Sequence, residues 1–199
     1  MRSLLPLLFL ALFFSCSETL NQDNLKYENE INFTSVKQVT FGGDNAEAYW
    51  SFDDKNLIFQ SNYSNWGLEC DQMFIMERDQ TFEDQKPKMV STGNGRTTCS
   101  YFMPDNEHIL YASTHENNLE CPETPLRKNG RYVWPVYDSY DIYVSDLDGN
   151  IVKKLTDEIG YDAEATVSPK GDKIVFTSNR TGDLELYTMN IDGSEVKQI

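Results

Sequence analysis

The alternation of apolar and polar positions writes one block three times, as AYWSFDDKNLIFQS (residues 48–61), SYFMPDNEHILYAS (100–113) and ATVSPKGDKIVFTS (165–178), aligned without a gap. Each copy runs from an aromatic-rich strand through a polar turn into a second strand, the period-two pattern of a hairpin with one face buried. A further apolar run follows each, at 72–76, 141–145 and 185–189, and the pairs Val39-Thr40, Val90-Ser91 and Leu155-Thr156 mark the joints between units. About four short strands recurring every ~40–50 residues predict one blade of a β-propeller per unit, since neighbouring sheets then bury faces that no blade can bury alone. The expectation is an all-β fold of four-stranded antiparallel blades, about three of them, at 38–90, 91–155 and 156–199.

The third unit is the shortest. Extra length in the first two falls between the second and third strands, at 62–71 and 114–140, where Pro, Gly, Asn and charged residues signal loops. Insertions at one corresponding point of a repeat collect on one face, and binding is expected there. Asp148-Gly149 and Asp192-Gly193 lie between short apolar runs and predict tight hairpins, because glycine takes positive φ at little cost. A calcium reading of Asp146 with Asp148, or of Asn190 with Asp192, lacks the further ligands and the distant bidentate Glu of an EF-hand-type loop.

Two segments of different character precede the repeats. Residues 1–16, MRSLLPLLFLALFFSC, carry one basic residue and an apolar run over 4–14. That run is too short to span ~30 Å of hydrocarbon and predicts a secretory signal. The small residue before Cys16 resembles the lipobox of bacterial lipoproteins, which implies that Cys16 is lipidated and becomes the mature N-terminus. Phe13 and Phe14 depart from that motif, which usually has Leu and a small residue there. Residues 17–37 are polar and read as a tether. The net charge of −15 at pH 7 disfavours nucleic acid and anionic lipid headgroups, since both need clustered Lys and Arg.

The run 155–199, LTDEIGYDAEATVSPKGDKIVFTSNRTGDLELYTMNIDGSEVKQI, resembles the repeat of TolB-type propellers: Leu-Thr, a Ser-Pro-x-Gly turn into a strand, Ser-x-Arg, then Leu-Tyr followed by Asp-Gly. The other two copies match more loosely, with Phe52-Asp53-Asp54 and Pro104-Asp105-Asn106 in the turn and Glu77-Arg78-Asp79-Gln80 in place of 146–149. The resemblance covers residues 38–199. It implies a propeller that closes with six blades, so the chain is expected to be an N-terminal fragment. It also implies an envelope protein of the bacterial periplasm or cell surface, anchored in the outer membrane through Cys16 and binding an envelope protein or a glycan. Propellers also precede catalytic domains in the prolyl oligopeptidase class, so the propeller of a larger hydrolase is the alternative. A metal- or solute-binding propeller comes third.

Candidate chemistry collects at one end of the repeats. Cys70, Cys99 and Cys121 are an odd set in an exported chain, and a disulfide from Cys99 to Cys70 or to Cys121 is topologically open. Cys99 aligns with Glu47 and Glu164 at the start of the inner strand. Glu47, Glu164 and His115 form a candidate divalent-ion set, zinc if a thiolate joins, against the reading that the glutamates bond neighbouring groups and His115 is solvated. No cofactor and no catalytic set is expected: the chain has no Gly-x-Ser-x-Gly elbow, no phosphate-cradling glycine loop and no Cys-x-x-Cys pair. Trp66 in the first insertion, and Tyr132, Trp134, Tyr137 and Tyr140 in the second, stand outside the strand pattern. They suit either a contact surface or a small core of the loops themselves.

Overall fold

A computed structural model describes residues 25–82, 85–124, 129–131 and 133–199; the expected signal sequence with Cys16, the first part of the expected tether and Tyr132 lie outside the described residues. The chain divides into a unit ending at Gln38 and a compact unit, Val39–Ile199. In the first, Tyr27 to Phe33 form successive turns, the Glu30 N–H donating to the Tyr27 carbonyl and the Phe33 N–H to that of Glu30. Among the described residues no helix is long and apolar enough to cross a membrane.

Among the described residues the second unit holds twelve strands: β1 (Asn45–Trp50), β2 (Asn56–Ser61), β3 (Gln72–Glu77), β4 (Lys88–Met89), β5 (Thr97–Phe102), β6 (His108–Ser113), β7 (Ser139–Asp146), β8 (Ile151–Lys154), β9 (Gly160–Val167), β10 (Lys173–Ser178), β11 (Glu185–Asn190) and β12 (Lys197–Gln198). Consecutive strands pair antiparallel within each set of four. A two-residue parallel bridge, Ser139 to Gly160 and Tyr140 to Tyr161, links the second set to the third. The fold is all-β, three four-stranded propeller blades with β1, β5 and β9 as the inner strands.

Alternation along the strands decides what each blade buries. Ile58, Met73, Ile75 and Val90 of the first blade meet Phe102, Ile109 and Tyr111 of the second. One blade further on, Leu110, Ile142, Val144 and Leu155 meet Val167, Ile174 and Phe176. Odd and even positions thus serve opposite joints, and each fully buried aliphatic contributes about 1.5–3 kcal/mol.

Polar positions of the repeat have equally local reasons. Ser91 and Thr156, the hydroxyl members of the joint pairs, accept from the N–H groups of Met73 (3.0 Å) and Ile142 (2.9 Å), where the third strand begins. Gly149 and Gly193 have φ of +86° and +87°, and each also closes on the preceding blade. A Cβ there would stand 3.1 Å from the Ser91 carbonyl oxygen or 3.2 Å from that of Leu155. The Asp146 carboxylate accepts from the Asn150 side-chain amide and from the N–H groups of Asn150 and Asp148, each at 2.9 Å, which holds it below the usual carboxylate range and closes the hairpin. Across the joints, Lys88 Nζ donates to Asp148 Oδ1 and Lys153 Nζ to the Asp192 carbonyl, both at 2.6 Å.

Candidate binding face

Each inner strand is broken at the same place. The β1–β2 register shifts between Ala46 and Tyr49, the β5–β6 register between Thr98 and Tyr101, and the β9–β10 register opposite Val175 and Thr177. The residues at these bulges, Glu47, Cys99 and Glu164, have φ of +50°, +51° and +58°. None is glycine, so each costs on the order of 1 kcal/mol in the left-handed region. Repeated three times, the bulge gathers these side chains with Tyr49, Ala165 and Thr166 around a cavity of about 240 Å³. Because β1 starts opposite the end of β2, the cavity lies at the end of the blades that carries the insertions.

Burial dominates the electrostatics of this cavity. Burial, with smaller contributions from Glu47 and Glu164, pushes the Cys99 thiol up to about 12, against the pull of the Thr98 hydroxyl. At neutral pH it is a protonated thiol. Glu164 accepts from Tyr161 Oη at 3.2 Å and from Thr177 Oγ1 at 2.8 Å. Glu47 accepts from Tyr49 Oη at 3.3 Å. Burial and the neighbouring carboxylates raise both tyrosines above their usual range, so these hydroxyls remain donors.

His115 is not part of this cavity. Its ring lies 4.4 Å from that of Tyr143, its Nδ1 is 2.9 Å from Ser113 Oγ, and burial holds it below its usual value. Among the described residues no three His, Cys, Asp or Glu side chains form a group that could hold a metal ion. The set Glu47, Glu164 and His115 is therefore corrected to two carboxylates flanking a thiol. The reason is the repeat: His115 occupies the place that Arg180 fills in the third blade, covering the aromatic of the third strand.

The disulfide also departs from expectation. Cys70 is bonded to Cys121, with Cα atoms 5.8 Å apart, and Cys99 is left as a thiol. The bond ties the first insertion to the second, whereas Cys99 is held inward by its bulge. Beside it, Arg96 donates to Asp71 Oδ2 at 2.8 Å and to Thr124 Oγ1 at 3.2 Å. Burial raises Asp71 above the usual carboxylate range, and the Arg96 charge opposes that shift.

The insertion aromatics are mostly packed. Trp66 is buried against Phe59, Phe74 and Met76, its ring centre 5.2 Å from that of Phe74, and is corrected from a surface candidate to a core residue. Trp134 is half-buried against Ala112, Tyr140, Tyr161 and Ala163, and its Nε1 donates to Tyr161 Oη at 2.9 Å. Tyr137, also half-buried, lies over Tyr140 at 6.1 Å. Tyr161 thus joins the second insertion to Glu164. Sequence reasoning missed it, as it missed the Arg96–Asp71 pair, because neither position repeats among the copies. The Ser-x-Arg motif did carry a signal for the pair of Arg180 with Asp162 Oδ2, 2.8 Å apart.

No protein-family model matches the chain. Over 60 residues it is 37% identical to an uncharacterized protein of Agrobacterium fabrum, a stretch covering 30% of this chain and 20% of that protein. Among solved structures it is similar to TolB from Acinetobacter baumannii, with 18% identity, a TM-score of 0.47, and 78% of this chain and 32% of that one covered. It is similar also to a puromycin-hydrolyzing peptidase of Mycobacterium tuberculosis (13% identity, TM-score 0.49, 79% of this chain and 23% of that one). A further likeness is to the β-propeller domain of the trilobed protease of Pyrococcus furiosus (16%, 0.35, 78% and 57%). The chain spans a fifth of the curated relative and about a third of that TolB.

Proposed function

We propose that this chain is an exported, lipid-anchored envelope propeller that binds a protein partner on the face carrying its two insertions and performs no chemistry of its own. The observation that carries this reading is the continuity of that face. The Cys70–Cys121 bond joins the insertions, and Trp134 reaches Glu164 through Tyr161, so loops and cavity form one preorganised surface. Preorganisation lowers the ordering cost of binding. The leader ending in Cys16 supports export and anchoring, and the acidic balance of the chain favours a partner with a basic segment. A Cys99 thiol kept protonated by burial and by the two carboxylates beside it argues against covalent catalysis. A protein is favoured over a glycan because Trp66 and Trp134 are turned into packing instead of being offered as open ring faces.

The test is to capture partners from an envelope extract on the immobilised chain, identify the retained protein, and titrate it against the wild type and the double variant Glu47→Gln/Glu164→Gln. Affinity is expected to fall by about tenfold or more in the variant and to weaken with added salt. Equal affinity for both proteins would move the binding site elsewhere. Product release from peptide substrates by the chain itself would remove the non-catalytic part of the reading.

A further inference from the structure

The Cys70–Cys121 bond links the first insertion to the second across a blade joint, and its two sulfurs sit in unlike surroundings. Arg96 Nη2 lies 3.8 Å from Cys121 Sγ, while Nη1 of the same guanidinium donates to Asp71 Oδ2. The Arg96 side chain is 12% exposed and its Nε is buried without a hydrogen-bond partner among the described residues, so water screens this charge little. Cys70 Sγ lies 3.2 Å from the Gly95 carbonyl oxygen, which Gln72 Nε2 also holds at 2.8 Å. A closed disulfide has no proton to give that oxygen. Opening the bond therefore stabilises a thiolate at Cys121 through the guanidinium and gives a thiol at Cys70 an acceptor already in place.

The bond is also within reach. Both cysteines line a cavity of about 190 Å³ together with Gly67, Gly93 and Gly95. Glycines leave the sulfurs without side chains over them, and a Cβ at Gly67 would meet nothing within 4 Å. The cavity, the arginine and the bond all lie at the joint of the first two blades and in their insertions.

We propose that Cys70–Cys121 is a thiol–disulfide exchange site for a dithiol reductant, and that its reduction releases the second insertion from the first. A thiolate of the reductant attacks Cys70 Sγ and forms a mixed disulfide, while the electron pair of the broken bond leaves on Cys121 beside Arg96. The thiol of lower pKa is the better leaving group, which sets this direction. The second thiolate of the reductant then attacks its own sulfur in the mixed disulfide and frees Cys70, which takes up a proton and donates to the Gly95 carbonyl. Two electrons pass to the protein, the dithiol ends as a disulfide, and of its two protons one goes to Cys70 and one to water. The insertions that make the face continuous are then no longer joined by a bond, and Arg131, exposed in the second insertion, marks the released segment.

The test equilibrates the purified chain with mixtures of reduced and oxidised dithiothreitol, without denaturant, and counts thiols by alkylation and mass spectrometry. Cys70 and Cys121 should become alkylated together while circular dichroism still reports the folded chain. In Arg96→Gln/Asp71→Asn, which removes both charges of the pair, half-reduction should need at least about tenfold more reduced dithiol, equivalent to about 30 mV. A bond that opens only in urea, or an equal midpoint in the folded variant, overturns the inference. Mixed disulfides formed by the wild type with glutathione and quenched in acid should sit on Cys70, and attachment at Cys121 overturns the assigned direction. Trypsin cleavage after Arg131 should quicken at least about fivefold on reduction. An unchanged rate overturns the release of the second insertion. No partner is present in these measurements, so their failure leaves the binding role of the face to its own test.

Discussion

In the second blade Ile142 is wholly buried; in the third its counterpart Leu186 is half exposed, although both pair with the same strand position and carry the same hydrogen bond to the outer strand. The strand itself does not decide burial, because the neighbouring blade does. Stability in such an array is the sum of a blade's own pairing and of its joints. The largest effect that separates the two comes from truncating each side chain. Ile142→Ala should cost about 2–5 kcal/mol in urea unfolding, and Leu186→Ala, measured at low protein concentration, less than about 1 kcal/mol. Equal costs would mean that Leu186 is covered in solution even at high dilution.

That difference also marks how far the fold was legible in the sequence. Alternation and the aligned blocks were enough for the strands, the joints and the position of Glu47, Cys99 and Glu164, because local periodicity and burial agree there. The αL bulges at those three residues left no local sign, since two glutamates and a cysteine are not residues that favour positive φ. The disulfide was open for a physical reason. Pairing depends on the path of two insertions that have no repeat to align, and Cys99 shares its end of the blade with both partners. Trp66 misled for a related reason: a loop aromatic reads as exposed until the loop is seen to fold back over Phe59 and Phe74. The lysines that cross the joints, Lys88 and Lys153, stand two residues before Val90 and Leu155 in the sequence, but their meaning needed the neighbouring hairpins.

A middle-sized effect sharpens the contrast within the third blade alone. Gly182 and Gly193 have φ of +102° and +87°, so alanine is strained at either position, by about 1 kcal/mol. Around Gly182 a Cβ would meet nothing within 4 Å, whereas at Gly193 it would stand 3.2 Å from both Leu155 Cδ2 and the Leu155 carbonyl oxygen. Gly193→Ala should therefore cost about 1 kcal/mol more than Gly182→Ala, because the covered side of the blade must give way and the open side need not. Equal thermal shifts for the two would mean that the second and third blades approach each other less closely than the hairpin geometry requires.

The smallest effect separates the same two blades by pH. The second strand of each ends in a serine, followed two residues later by a side chain laid over the third-strand aromatic. In the third blade this is Arg180, 5.1 Å from the Tyr187 ring and bonded to Asp162; in the second it is His115 over Tyr143. Arginine keeps its charge, but the imidazole titrates. Burial holds His115 below its usual 6.5; Lys154 pushes the same way, and Glu116 opposes both. The unfolded chain therefore takes up this proton first as the pH falls. The contribution of His115 is whole above 6.5 and is lost progressively below that value, down to its lower value in the folded chain. Asp141, which also bonds Lys154, is raised by burial and acts in the opposite sense at lower pH. Comparing wild type with His115→Arg cancels that background. The variant, which gives the second blade the third blade's residue, should show a shallower loss of unfolding free energy between about pH 6.5 and 5 in urea titrations. Identical slopes would mean that His115 is as solvated in the folded chain as in the unfolded one.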